Sequence, residues 1–542
     1  MKLKNIMAML LAALMVMSLA ACGNSGSAAT TAAAETTKAA AADETTAAAE
    51  PTADGLTIGV VGGSEDSMGL NTATVGALNG LSACRHVYEG LYKVGADGEV
   101  VLGQAAKAEN DGLTWTFTLR DDITWSDGEA VTAEDFIYGF DYLVESADDY
   151  STLLSDVADS WVATDEKTIV ITTKFECGYL PSILAFPSTY PVRKDYVEEY
   201  GEAYATEADK TVYNGPFAVS SWEHQAKIVM TKRADYYDAA NIDVAQINWV
   251  LTSEESTALN QFKSGDIIYS DVIPDEEVAS MIDNGLHYAP GMNNYCVMFN
   301  LGDNGNDVLK DARVREALSL AIDRQRIINI RDLNDELGFS LMCSGFTNED
   351  GVDFVDYIDP WYDTEDYEGN CEKAKQLLAE AGYANGEGFP ALNYIVNNDS
   401  RKEVAESVVN DWKEVLGIDS ITVNKIEGFF AARSGGDFDI AYYGWWMDYT
   451  DISNMIGSMV SMQDNNCFWT NEDFLTAYNN AITASSQKEQ WDYYKECEAI
   501  MAQDIPVTPI LHTQSTYLFD DTNYNGLVYT CGNFVFTYIK AN

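Results

Sequence analysis

Two periodicities interleave along this chain. Thr114–Leu119 alternates with a period of two, with Trp115, Phe117 and Leu119 on one face and threonines on the other, which predicts a half-buried strand. Leu56–Val61 reads as the strand that opens the globule near Gly55. Asp127-Gly128 marks a turn. Thr132 then opens a helix as its N-cap, with Asp135 three residues on and Phe136, Ile137, Phe140 and Leu143 as the apolar stripe. In the second half the period lengthens to that of helices. Val314, Ala317, Leu318, Ala321 and Ile322 share one face, a second helix over about 372–381 stops at Gly382, and a third carries Val404, Val408, Val409 and Trp412 and stops at Gly417. Strands over 392–396, 421–426 and 438–443 separate these helices. A β-α-β-α-β order of this kind predicts an α/β lobe with a mixed or parallel sheet.

Length and charge extend the picture. The 542 residues exceed what one core organises and predict two or three lobes. Against 32 basic residues stand 86 acidic ones, a net charge of -54, which repels nucleic acid and anionic lipid surfaces. The plain reading of that charge is a solubilised surface; a field that draws in cationic ligands is the second reading. At the N-terminus, Lys2 and Lys4 precede an apolar run over 6–19, too short for a bilayer span. Leu19-Ala20-Ala21-Cys22-Gly23 follows and resembles a bacterial lipobox, in which cleavage precedes the cysteine and its sulfur takes up a diacylglyceryl group. An ordinary signal peptide with a chance cysteine is the alternative. On the first reading 1–21 is a lipoprotein signal peptide, Cys22 the lipid anchor, and 22–54, almost all Ala, Thr, Gly, Ser and Glu, a flexible linker. The other eight cysteines form no C-x-x-C pair and read chiefly as small buried apolar residues.

Catalytic and metal signatures are missing. His86, His224, His287 and His512 are far apart, and no H-E-x-x-H, G-x-S-x-G, P-loop or dinucleotide fingerprint occurs. Asp303 to Asp307 lacks the glycine and glutamate of a calcium loop and reads as an acidic turn. Binding without catalysis, with no cofactor and no metal, is the consistent reading.

A set of motifs then narrows the field. They are Tyr88-Glu89-Gly90-Leu91, Trp115 to Arg120, Trp125-Ser126-Asp127-Gly128, Val131 to Phe136, Asn214-Gly215-Pro216-Phe217, Arg313 to Leu318, Ala321-Ile322-Asp323-Arg324 and Leu377 to Tyr383. In order and spacing the chain resembles the extracellular solute-binding proteins of ATP-driven oligopeptide and dipeptide importers, from about residue 57 to the C-terminus. The resemblance implies a periplasmic-binding-protein-like α/β fold of two hinged lobes plus an extra domain. The first lobe would comprise 55–85, 188–291 and 508–542, with re-entry over 506–511; the extra domain 86–187; and the second lobe 292–507. Trp125, Phe136 and Arg315 are expected to hold turns and helix packing. The ligand-facing stretch is Gly444-Trp445-Trp446-Met447-Asp448-Tyr449. By resemblance, Asp448 pairs with a ligand ammonium and Trp445 walls a side-chain pocket; the alternative is that Asp448 caps a helix or pairs with a resident lysine. Of Trp445 and Trp446, strand alternation puts one in the cleft and the other in the core. Tyr442 stands where some relatives carry an arginine for the ligand carboxylate, and 340–353 also departs from them. The implied partners are a short peptide, importer permease subunits and the membrane through Cys22, with the protein acting as a monomer on the outer face of the cell membrane. A nickel chelate, opine, sugar or other amine is the alternative cargo.

Overall fold

In a computed structural model of the chain, the residues described are 55–64, 69–148, 150–331, 333–348, 350–460 and 466–542. The expected signal peptide, lipid anchor and linker lie outside them. Residues 53–542 form one compact unit.

Its first large sheet has seven strands, in the order Leu286–Pro290, Gln514–Phe519, Tyr269–Ser270, Leu56–Val61, Val244–Val250, Lys227–Lys232 and Phe217–Glu223. Leu56–Val61 lies at its centre and pairs in parallel with Val244–Val250. The second large sheet has six, in the order Glu336–Leu337, Val507–His512, Tyr295–Phe299, Ile440–Tyr443, Leu392–Val396 and Ile421–Lys425. Leu392–Val396 pairs in parallel with both its neighbours, as the β-α-β-α-β order predicts. A separate four-stranded antiparallel sheet has the order Ala105–Asp111, Thr114–Leu119, Thr168–Thr173 and Ala158–Asp165, with Trp115 and Phe117 on its buried face.

The helices end where local chemistry stops them. Ala133–Ser146 begins on a reciprocal cap in which the Thr132 N–H donates to Asp135 Oδ2 at 2.9 Å, and the same carboxylate oxygen takes the Trp125 indole N–H at 3.3 Å. Trp125 and Phe136 are both fully buried there, so this motif is a packing device. The helix expected over 372–381 starts earlier, at Tyr367, because the Asp366 carboxylate accepts from the Gly369 N–H at 2.8 Å and caps it. Asp399–Leu416 ends at Gly417, whose φ of +73° suits a residue without a side chain.

Two short crossings join the large sheets. Gly291 to Asn294 links Leu286–Pro290 to Tyr295–Phe299, and Thr513 alone links Val507–His512 to Gln514–Phe519. They are clasped together: the Gly291 N–H donates to the Thr513 carbonyl at 2.8 Å, and Asn293 Nδ2 donates to Gly291 O at 3.0 Å and to Thr513 Oγ1 at 2.6 Å. This corrects the expected re-entry over 506–511. Val507–His512 pairs with Tyr295–Phe299 in the six-stranded sheet, and the chain returns to the first sheet only after Thr513. Every residue of that strand is buried, so no polar face marks which sheet it joins.

Candidate functional site

The strand Ile440–Tyr443 runs through the middle of the six-stranded sheet and delivers the chain to Gly444 at the crossing. From there the backbone follows the crossing strand. The Asn294 N–H donates to Trp445 O at 3.2 Å, the Trp445 N–H to Asn294 Oδ1 at 3.0 Å, and the Met447 N–H to Met292 O at 2.9 Å. Asn293 and Trp446 form an isolated antiparallel bridge. The stretch 445–447 is therefore anchored to the link between the lobes. Gly444 is required at the corner, because a Cβ there would lie 1.9 Å from Tyr442 Oη and 3.0 Å from Asn294 O. Tyr442 cannot yield, being packed edge-on to Tyr295 at 4.6 Å and covered by Arg401. Gly444→Ala should cost about 1–3 kcal/mol through overpacking; a lowered urea midpoint checks this, and an unchanged one contradicts it.

Asp448 opens into a cavity of about 270 Å³ whose wall includes Trp445, Tyr449, Asn454, Tyr150 and Tyr179. The last two come from the segment that follows the extra sheet's helix and its last strand, so the cavity lies between that region and the second lobe. Among the described residues Asp448 makes no ion pair. It receives Asn454 Nδ2 on Oδ2 at 3.3 Å, and its own N–H donates to Asn454 Oδ1 at 3.2 Å. Enclosure by protein pushes its pKa up to about 6, with the Asn454 hydrogen bond opposing the shift. It caps no helix; Asp451 does that for Ile452–Gly457, accepting from the Ser453 N–H at 2.8 Å. The arrangement is a recessed carboxylate with no cation of its own, set between aromatic rings.

Trp445 lines this cavity, and its indole N–H donates to Asn454 Oδ1 at 2.8 Å. Trp446, Tyr442 and Gly444 do not line it. Trp446 is not core either: it is 48% exposed, since 445–447 follows the crossing as a single bridge and not as a regular strand buried on both faces. Tyr442 is buried in the sheet, but the charge missing from its position is close by. The Arg401 guanidinium lies 4.0 Å above the Tyr442 ring, and Arg433 packs on the rings of Phe429, Phe430 and Tyr443 at 5.6 Å each. Neither arginine makes an ion pair among the described residues, in a chain with a large acidic excess.

The residues just after Asp448 reach across to other parts of the fold. Tyr449 stacks on Tyr179 with ring centres 5.7 Å apart and planes within 4°. Thr450 Oγ1 lies 3.0 Å from Thr530 Oγ1 and 3.1 Å from Cys531 Sγ. Cys531 and the other seven described cysteines are buried, and burial pushes the Cys531 thiol up to about 11, so it stays protonated. The divergent 340–353 stretch is held at its base by Glu498, which accepts from the Leu341 N–H at 3.2 Å, the Met342 N–H at 2.9 Å and the Trp361 indole at 2.7 Å. Sequence reasoning missed Asn454, Tyr179, Arg401 and Glu498. Only Asn454 carried a signal, in its place one turn behind a helix-capping Asp.

Comparison with known proteins agrees with this fold. Residues 99–467 match the family model described as bacterial extracellular solute-binding proteins, family 5, middle region. The chain is 26% identical to the oligopeptide-binding protein OppA of Bacillus subtilis over 473 residues, covering 82% of this chain and 85% of that protein. It is 28% identical to the periplasmic oligopeptide-binding protein OppA of Salmonella typhimurium over 454 residues, covering 79% and 82%. Its fold is similar to the solved murein tripeptide-binding protein MppA of Escherichia coli, with a TM-score of 0.68 at 23% identity, covering 89% of this chain and 97% of that one. By the extent of the family match, the chain belongs to family 5 of the bacterial extracellular solute-binding proteins.

Proposed function

We propose that this protein is a receptor on the outer face of the cell membrane, anchored through Cys22, that captures short peptides by their free amino terminus and hands them to an ATP-driven importer. The observation that carries this is Asp448, a recessed carboxylate with one amide donor, no cation and a cavity in front of it. A carboxylate removed from water needs a counter-charge, and a ligand ammonium supplies it with charge-assisted hydrogen bonds. Trp445, Tyr449 and Tyr179 offer apolar ring surface to the first side chain. Arg401 and Arg433 are the cations that would receive a ligand carboxylate in place of the charge absent at Tyr442. Peptides suit such a site because their backbone donors and acceptors are the same whatever the sequence. Ligand contacts on both sides of the cavity favour the closed arrangement of the lobes, which an importer would recognise. The peptide cargo of the OppA relatives supports this reading, and so does the lipobox-like stretch before Cys22.

A thermal-shift panel tests it, with di- to hexapeptides in free and N-acetylated form beside an opine, a sugar and a nickel chelate. A ligand at about 100 times its dissociation constant adds about 2.7 kcal/mol, which a melting curve resolves. Free-amine peptides should stabilise and acetylated ones should not. A shift with the sugar or chelate and with no peptide overturns the cargo assignment. For the anchor, Cys22→Ser removes the acceptor thiol and should abolish labelled fatty-acid incorporation and release the protein from the membrane; continued incorporation rejects the anchor.

A further inference from the structure

We propose that Asn454 is the positioning residue of this site: its one side-chain amide fixes the Asp448 carboxylate and the Trp445 ring together, so that charge and wall meet a ligand as a single unit. The inference rests on the amine-binding reading above.

Asn454 is 6% exposed and sits in the helix Ile452–Gly457, behind the cap formed by Asp451. Its Oδ1 accepts twice, from the Trp445 indole N–H at 2.8 Å and from the Asp448 N–H at 3.2 Å. Its Nδ2 donates to Asp448 Oδ2 at 3.3 Å. The chemistry of the partners sets the amide's orientation. Turned over, its NH₂ would face two donors and its oxygen would face a carboxylate. Two consequences follow. Asp448 Oδ2 is engaged, while Oδ1 accepts no hydrogen bond among the described residues, so one oxygen remains for an ammonium. The donor is also neutral. A lysine or arginine in its place would satisfy the carboxylate's charge and remove the need for a cationic ligand, whereas an amide orients the carboxylate and leaves its charge uncompensated. Substituting Asp448 or Trp445 alone leaves the other still held by the amide, while substituting Asn454 frees both.

The test uses the full chain with its tryptophan indoles labelled with ¹⁵N, the Trp445 signal being identified by its loss in Trp445→Phe. In the unaltered protein this N–H resonance should titrate between about pH 5 and 7 as Asp448 ionises, and the titration should vanish in Asp448→Asn. In Asn454→Ala it should also vanish, although Asp448 is still present. The near-isosteric Asn454→Asp keeps the acceptor and replaces the donor by a second carboxylate, so its titration midpoint should rise by about one pH unit or more. A Trp445 titration unchanged in both Asn454 variants overturns the proposal. A second arm measures tetra-alanine and N-acetyl-tetra-alanine by calorimetry. Asn454→Asp should weaken the free-amine peptide by about ten-fold or more, the usual consequence of losing a hydrogen bond to a charged group, and leave the acetylated one unchanged. If the unaltered protein binds both peptides alike, the amine reading fails, and the resonance titration still decides the role of Asn454.

Discussion

Asp448→Asn lowers affinity for a free-amine peptide by about 30- to several-thousand-fold. Truncating one partner of a desolvated charge pair costs about 2–5 kcal/mol, and the asparagine keeps the shape while removing the charge the ammonium needs. The effect should be confined to the amine: an N-acetylated peptide, already deprived of its ammonium, should bind the variant and the unaltered protein with similar weakness. Titration calorimetry on both peptides measures this, and equal losses for the two would mean that Asp448 acts on the fold and not on the ligand. The same substitution has a signature without ligand. The pKa of Asp448 in the folded protein is raised to about 6 from 3.8, so the folded state holds a proton that the unfolded state has released. The stability this contributes is fully present below about pH 4 and is lost as pH rises through about 6. Asp448→Asn should therefore flatten the fall in melting temperature across that window. Asp156 is the other carboxylate lining the cavity, and the Cys531 thiol also faces Asp448. Neither is altered by the substitution, so the difference between the two proteins isolates Asp448.

The second large effect falls on stability. Arg315 is buried and donates to Leu309 O at 2.8 Å, to Ile505 O at 3.0 Å and to Asp504 O at 2.9 Å. The Asp504 and Ile505 carbonyls lie where the helix Gln487–Asp504 turns into the strand Val507–His512, the Leu309 carbonyl belongs to the short helix Asp307–Lys310, and Ile505 takes a φ of +46°, a conformation that β-branched residues seldom adopt. One planar guanidinium thus satisfies three carbonyls and holds the turn that feeds the strand next to the crossing. Arg315→Met leaves those carbonyls buried without a donor, at about 1–3 kcal/mol for each one not rescued by water. The urea midpoint should fall by an amount equivalent to about 3 kcal/mol or more. Arg315→Lys should recover little, because an ammonium cannot reproduce the planar fork. An unchanged midpoint would mean that the turn is held by packing alone.

These cases show what sequence could and could not reveal. Thr114–Leu119 and Leu392–Val396 were legible to the residue, because their alternation and flanking turns follow from local chemistry. Gly417 and Gly382 were legible as helix stops for the same reason, a backbone that turns left-handed. The sheet that Val507–His512 joins is not legible in the sequence, because a strand buried on both faces has no polar side to give its register. Trp446 departs from strand alternation because the chain leaves the ladder after Tyr443, at a glycine where a Cβ would not fit. The carboxylate of Asp448 was found through the family register. Its amide partner stands six residues on, in the next short helix, whereas the arginine above Tyr442 arrives from the helix Asp399–Leu416, and only tertiary packing makes it a neighbour.

On the amine-binding reading, a ligand ammonium replaces the proton which Asp448 otherwise holds. Titration calorimetry of a free-amine peptide at pH 6, in two buffers of different ionisation enthalpy, tests it most directly. With the carboxyl pKa raised to about 6 and a peptide α-amine that stays protonated at that pH, binding should release about half a proton per peptide. The release should fade towards pH 8 and be absent in Asp448→Asn. Heats that do not depend on the buffer, or a release that persists in Asp448→Asn, would contradict the account.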